Sequence, residues 1–74
     1  MTDCEKFSTI RFEASDGIGR IILNRPHVLN AIDPTMVREI NAAMDHIDGD
    51  DAIKVAIISG EGRAFSAGFD LKAS

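Results

Sequence analysis

A chain of 74 residues that is 45% hydrophobic has apolar content for a core, but only for a small one. Its net charge of −4, without any basic cluster, excludes nucleic acid as an expected partner. No apolar run approaches the roughly 20 residues that a membrane-spanning helix needs, and the polar, acidic start is unlike a secretion or transit signal. A cytoplasmic setting without membrane contact is therefore expected. One cysteine and two histidines without zinc-like spacing predict neither an internal disulfide nor a metal site.

The first predicted element is a β-hairpin. Residues 7–14 alternate in polarity, which is typical of a strand with one face toward a core. Ser15-Asp16-Gly17 predicts a turn, because Gly17 can adopt positive φ, and Ile18 to Asn24 predicts the returning strand. The more apolar face of the first strand, which we expect to face the core, carries Ser8, Ile10, Phe12 and Ala14.

An irregular segment is predicted from Asn24 to Ile32. Pro26 removes a backbone donor and favours an extended conformation at Arg25. Arg25 and Asn30 could bind a phosphate or tie the loop down, and these residue types favour the second role. His27 could contact a ligand or be an exposed loop histidine, and the sequence leaves both interpretations open.

A helix is predicted from Pro34 to Ile47. Asp33 is a suitable N-cap and Pro34 is favoured at the first helical position. Gly49 is expected at the C′ position, where helices often stop. Met36 and Met44 are expected to fill the core. The apolar stripe, at three-, four- and seven-residue spacing, comprises Met36, Val37, Ile40, Ala43, Met44 and Ile47.

The last predicted strand, Val55 to Ser59, has the length and composition of a buried strand. Gly60 and Gly62 end it, and neither glycine pair of the chain completes a dinucleotide-binding fingerprint. Residues 63–68 are mostly small, so another molecule can approach their backbone, and residues 69–73 could open a helix. A strand, a small-residue loop and a helix start leave outward backbone N–H groups that can bind an anion or a developing oxyanion.

Two motifs resemble those of the enoyl-CoA hydratase/isomerase family, or crotonase superfamily. They are Phe-Ser-Ala-Gly-Phe-Asp-Leu-Lys at 65–72 and Leu-Asn-Arg-Pro-His-Val-Leu-Asn-Ala at 23–31. The helix between them has the length that the family uses, although family members are several times longer than this chain. The resemblance implies an α/β fold in which residues 1–74 form the N-terminal part of a crotonase-like (ClpP/crotonase) ββα spiral. The expected order is strand, strand, helix, strand, loop and helix start, with the last strand lacking its later neighbours.

The resemblance also implies a site. The backbone N–H of Phe69 is one of two oxyanion-hole donors, and Gly68 allows the chain to turn there. No metal and no cofactor is expected, because coenzyme A belongs to the substrate. His27 stands where the family usually has a basic residue, and Phe69 where many hydratases have alanine. The residues implied to contact CoA or substrate are Arg25, His27, Val28, Leu29, Ala67, Asp70, Leu71 and Lys72.

The function implied is that of an acyl-CoA-processing enzyme that hydrates or isomerises the double bond of an enoyl-CoA through an enolate. The glutamates that transfer protons and the second oxyanion donor are expected after residue 74, and assembly as a trimer or a pair of trimers is expected. Glu61, nearest to the loop, is expected to be a surface turn residue. One alternative is a noncatalytic or truncated homologue that binds only CoA or partner subunits. Another is an unrelated βαβ domain without a ligand.

Overall fold

A computed structural model describes residues 7–66 and 68 as a three-stranded sheet with one α-helix. The sheet order is β1-β2-β3, with β1 antiparallel and β3 parallel to β2. The predicted order of elements is confirmed as far as the loop after β3, and the helix start predicted for residues 69–73 lies outside the described residues. The elements are β1 (Ile10–Ser15), β2 (Ile18–Leu23), a short 3-10 helix (Pro26–Val28), α1 (Pro34–Asp48) and β3 (Val55–Gly60).

The hairpin is closed by two residues at positive φ. Asp16 has φ 53° and Gly17 has φ 79°, as a type I′ turn requires, and this turn suits the twist of two antiparallel strands. The observed β1 begins at Ile10 rather than at residue 7. Its predicted core face is confirmed from Ile10 onward, where alternate residues are buried or half-buried, whereas Ser8 is exposed.

Helix α1 begins as predicted but ends differently. The Asp33 carboxylate accepts a hydrogen bond from the Met36 N–H at 2.8 Å, and Pro34 opens the helix. Gly49 is the capping residue itself rather than the C′ residue, and its φ of −89° is right-handed. The prediction of a C′ glycine is therefore wrong, because this helix ends without the left-handed turn that would call for one.

The core lies between α1 and the β1–β2 hairpin. Met36 is fully buried as predicted, but Val37 and Met44 are each 40% exposed. The expectation that Met44 fills the core is wrong for the described chain, because α1 packs on the hairpin and one flank of its apolar stripe extends past it. The core cluster comprises Ile10, Ile21, Leu23, Met36 and Ala43, with Phe7, Phe12, Ile32, Ile40 and Ile47 packed against it.

Strand β3 was predicted to be buried, and in the described chain this is wrong. Val55, Ile57 and Ile58 are 53%, 42% and 45% exposed. The register pairs Ile58 with Ile21 on the face that carries the core, while Ile57 pairs with Arg20 on the other face. Both faces of β3 are open because β3 is an edge strand and α1 packs on the hairpin. This exposure agrees with the expectation that the strand lacks later neighbours.

Glu39, on α1, fixes the start of the sheet. Its carboxylate accepts hydrogen bonds from the backbone N–H groups and the hydroxyls of Ser8 and Thr9, at 2.6 to 3.2 Å. Burial alone would raise the pKa of Glu39, but these hydrogen bonds outweigh it and leave the pKa below its usual value.

No helix in the described part of the chain is long and apolar enough to cross a bilayer.

Candidate functional site

Two loops meet at one edge of the sheet. The first loop, residues 24–32, follows β2, and the second loop, residues 61–68, follows β3. Because β2 and β3 are parallel and Leu23 pairs with Gly60, both loops leave the carboxyl ends of neighbouring strands. That edge is where ligands usually bind in sheets with parallel strands.

Asn30 joins the two loops. It is fully buried, and its φ of 56° lies in the left-handed region that asparagine tolerates better than most residues. Its side-chain oxygen accepts the Arg25 N–H at 2.7 Å within the first loop. Its amide nitrogen donates to the backbone carbonyls of Glu61 at 2.9 Å and Ala64 at 2.8 Å in the second loop. The second loop is therefore built directly onto the first.

Gly60 lets the second loop fold back over the end of β3. A Cβ atom at Gly60 would lie 2.5 Å from the carbonyl oxygen of Phe65 and 2.8 Å from that of Ala64. Both atoms belong to the backbone and cannot move aside as the end of a long side chain would. From the sequence, Gly60 was predicted only to end the strand. The structure shows a second reason for glycine, which is the close approach of the second loop's backbone to its α-carbon.

Gly68 is held through both of its backbone polar groups. Its N–H donates to the Ser66 hydroxyl at 3.1 Å, and its carbonyl accepts the Ile32 N–H at 2.8 Å. The Ser66 hydroxyl in turn donates to the Asn30 carbonyl at 2.8 Å. Gly68 has φ 97°, and a Cβ built there would meet no described atom within 4 Å. This φ is one that residues with a side chain rarely adopt, so the backbone conformation itself favours glycine at this position.

Arg25 makes contacts within the fold. Its Nη1 atom donates to the Ala31 carbonyl at 2.6 Å and lies 3.4 Å from Oδ2 of Asp33. The side chain thereby links the first loop to the start of α1. This is the loop-tying role that the sequence favoured over phosphate binding.

The structure brings only part of the predicted site together. Arg25, His27, Val28 and Leu29 lie on the first loop, which is joined to Gly68 of the second loop through the Ile32 N–H. His27 is exposed, as one of its two interpretations requires, and Val28, Leu29 and Phe65 present exposed apolar side chains. The remaining predicted site residues lie outside the described residues: Ala67, Phe69, Asp70, Leu71 and Lys72.

The family model for enoyl-CoA hydratase/isomerase matches residues 18–74. The chain belongs to this family. It is 40% identical over 67 residues to a hydroxycinnamoyl-CoA hydratase-lyase of Pseudomonas fluorescens, covering 90% of this chain and 24% of the relative. The structure of an enoyl-CoA hydratase/isomerase from Xanthobacter autotrophicus Py2 superposes with a TM-score of 0.89 at 51% identity, covering 92% of this chain and 25% of that one.

One relative carries a different kind of name. The small ribosomal subunit protein mS47 of Schizosaccharomyces pombe is 39% identical over 66 residues, which cover 89% of this chain and 15% of that protein. The chain therefore spans about a quarter or less of the length of the relatives named here. The predicted α/β fold and the predicted family are confirmed by these similarities.

The hydrogen bond between Ser66 and Gly68, within the second family motif, could not be predicted from the sequence. Ser66 was treated as one of several small residues, and only a search for a hydroxyl two positions before a glycine could have singled it out. Glu61 has a structural partner, since its carboxylate forms an ion pair with Arg11 across the sheet. Within residues 7–66 and 68, no group of three potential metal ligands occurs.

Proposed function

We propose that the complete protein hydrates or isomerises the double bond of an enoyl-CoA thioester. In this proposal the thioester oxygen becomes negative in an enolate and is held by the backbone N–H of Phe69. The observation that carries the proposal is Gly68, which combines a positive φ with hydrogen bonds at both its N–H and its carbonyl. Because the Gly68 N–H already donates to Ser66, it is not free to bind the thioester, and the next N–H along the chain is the donor expected. One such donor is worth about 3 to 4 kcal/mol of transition-state stabilisation.

The rest of the substrate lies along the first loop in this proposal. Val28 and Leu29 are exposed apolar side chains on the first loop, so they can cover part of an acyl-CoA. Arg25 supports the loop from within, and His27 contacts the CoA moiety. The same proposal assigns substrate contacts to Ala67, Asp70, Leu71 and Lys72.

We infer further that residues 1–74 are the N-terminal part of the spiral core domain. The exposed apolar faces of β3 and of the flank of α1 support this inference, because later elements of the fold would cover them. The proton-transferring glutamates and the second oxyanion donor belong to the remaining part of the domain. Assembly as a trimer or a pair of trimers in the cytoplasm, with a role in fatty acid metabolism, completes the proposal.

The test is Gly68→Val in the complete protein. A β-branched residue at φ 97° is strained and places its side chain where the thioester would approach, so kcat for but-2-enoyl-CoA hydration should fall about 100-fold or more. Gly49→Ala is the control, since Gly49 has right-handed φ and an added Cβ there makes only ordinary contacts. Phe69→Ala should keep the backbone donor and most of the activity. Normal turnover by a normally folded Gly68→Val protein would refute the assignment.

A noncatalytic homologue is the second candidate, because a ribosomal protein shares the family's sequence features at 39% identity. In that case the wild-type protein would bind CoA or partner subunits without turnover. Assaying wild-type protein with several enoyl-CoA thioesters, next to equilibrium binding of CoA itself, separates the two candidates.

A further inference from the structure

Ser66 stands out among the residues that the proposed chemistry does not yet use. Its hydroxyl bridges two backbone groups, donating to the Asn30 carbonyl at 2.8 Å and accepting from the Gly68 N–H at 3.1 Å. One end of the bridge is the fully buried Asn30, and the other end is the residue proposed to border the thioester. The hydroxyl has one proton and two lone pairs, so the contact with Asn30 uses its only donor and the contact with Gly68 uses one lone pair.

The second hold on Gly68 comes from the first loop. The Ile32 N–H donates to the Gly68 carbonyl at 2.8 Å, just before the N-cap of α1. A carbonyl lies in one plane with the N–H of the same peptide group. A bond that orients the Gly68 carbonyl therefore also orients the N–H that follows it.

We propose that Ser66 is a positioning residue for the oxyanion donor. Its hydroxyl and the Ile32 N–H fix the residue before that donor from both sides, on a support anchored by Asn30. This inference rests on the proposed function, since it concerns the same donor. Ser66 touches no substrate in this arrangement and acts only through Gly68. Its loss should therefore reduce kcat more than it weakens substrate binding.

The experiment uses the complete protein with Ser66→Ala, Ser66→Thr and the control Ser15→Ala. Ser15 lies exposed at the hairpin end of β1, at the opposite edge of the sheet from the two loops, and undergoes the same chemical change. Hydration of but-2-enoyl-CoA gives kcat and KM. Binding of 4-dimethylaminocinnamoyl-CoA gives a spectroscopic readout, because hydrogen bonds to its thioester oxygen draw electron density onto it and shift its absorption to longer wavelength.

We expect Ser66→Ala to lower kcat about tenfold, the effect of losing one hydrogen bond of ordinary strength, while KM stays within about twofold. The absorption shift of the bound probe should shrink in Ser66→Ala, remain in Ser15→Ala and return in Ser66→Thr, which restores a hydroxyl. A full shift and a full kcat in a folded Ser66→Ala protein would overturn the inference. A raised KM at unchanged kcat would also overturn it, as would loss of cooperative melting in Ser66→Ala, since Ser66 would then serve binding or folding.

The proposed function fails in a different way. If wild-type protein produced neither turnover nor a shift of the probe, the oxyanion assignment itself would be wrong, whatever Ser66→Ala did. A shift in wild-type protein that is indifferent to Ser66 would leave the proposed function standing and remove only the positioning role.

Discussion

Replacing Asn30 by alanine tests whether the two loops form one unit. The substitution removes three hydrogen bonds at 2.7 to 2.9 Å from a side chain that is fully buried. Each bond contributes about 1 kcal/mol net, and a buried carbonyl left without a partner costs about 1 to 3 kcal/mol. Alanine also tolerates the left-handed φ of 56° less well than asparagine does. We expect Asn30→Ala to lower the free energy of unfolding of the complete protein by about 3 to 5 kcal/mol.

Urea denaturation of the complete protein, followed by circular dichroism, measures this loss as a lower midpoint at unchanged m-value. Asn41→Ala is the matched control, because Asn41 is exposed on α1 and the same change there should cost less than about 0.5 kcal/mol. Asn30→Asp serves as a second variant. It keeps an acceptor for the Arg25 N–H but replaces the donor that faces two carbonyl oxygens, so it should also be strongly destabilising.

An Asn30→Ala cost below about 1 kcal/mol at unchanged m-value would refute the reasoning, because the loss of three hydrogen bonds from a fully buried side chain should cost more than that. Equal costs for Asn30→Ala and Asn41→Ala would have the same meaning. The two loops would then be held together by the hydrogen bonds that join Ser66 to Asn30 and Gly68 to Ile32.

Three further predictions concern stability. Ile40→Ala should lower the free energy of unfolding by about 2 kcal/mol in chemical denaturation. This is the low end for such a change, because Ile40 is half-buried at the edge of the core. A loss equal to that in Asn41→Ala would contradict the core packing. The contribution of Glu39 should be present above its ordinary pKa of 4.5 and be lost as the pH falls through its lower folded pKa, so Glu39→Gln should flatten the acid limb of stability against pH. An unchanged acid limb would mean that other carboxylates dominate. Residues 1–74 expressed alone should show no cooperative thermal transition and no enoyl-CoA hydration, and either signal would contradict this expectation.

Most features that depend on neighbouring residues were predicted well from the sequence, and the C′ position of Gly49 is the exception. The hairpin turn needs only Asp16 and Gly17 in sequence. The start of α1 needs only Pro34 and an Asp33 carboxylate that accepts the Met36 N–H, a group without an intrahelical acceptor. Such interactions close within four residues, so the local pattern contains all the information. The two family motifs were recognisable for a related reason, since each is a continuous run.

Burial was predicted less well, because it depends on what packs from far away. The apolar run of β3 has the composition of a central strand, yet Val55, Ile57 and Ile58 are exposed in the described chain. Met44 belongs to the apolar stripe of α1 by spacing, but it is 40% exposed although α1 packs on the hairpin. The composition of an element shows which of its faces is apolar, whereas the tertiary arrangement decides whether another element buries that face.

The contacts that build the candidate site were the hardest to predict. Asn30 and Ala64 are 34 residues apart, and Ser66 and Asn30 are 36 apart, so no local pattern links them. The sequence predicted that Asn30 ties the first loop down, but not that it bonds the second loop. Ser66 was predicted only to be one of several small residues. The partners are fixed by the parallel pairing of β2 with β3, which brings the ends of both strands to one edge. The hydrogen bonds of Gly68 with Ser66 and Ile32 depend on the same pairing, and this is why a loop with so little side-chain chemistry is still held to the first loop through backbone groups.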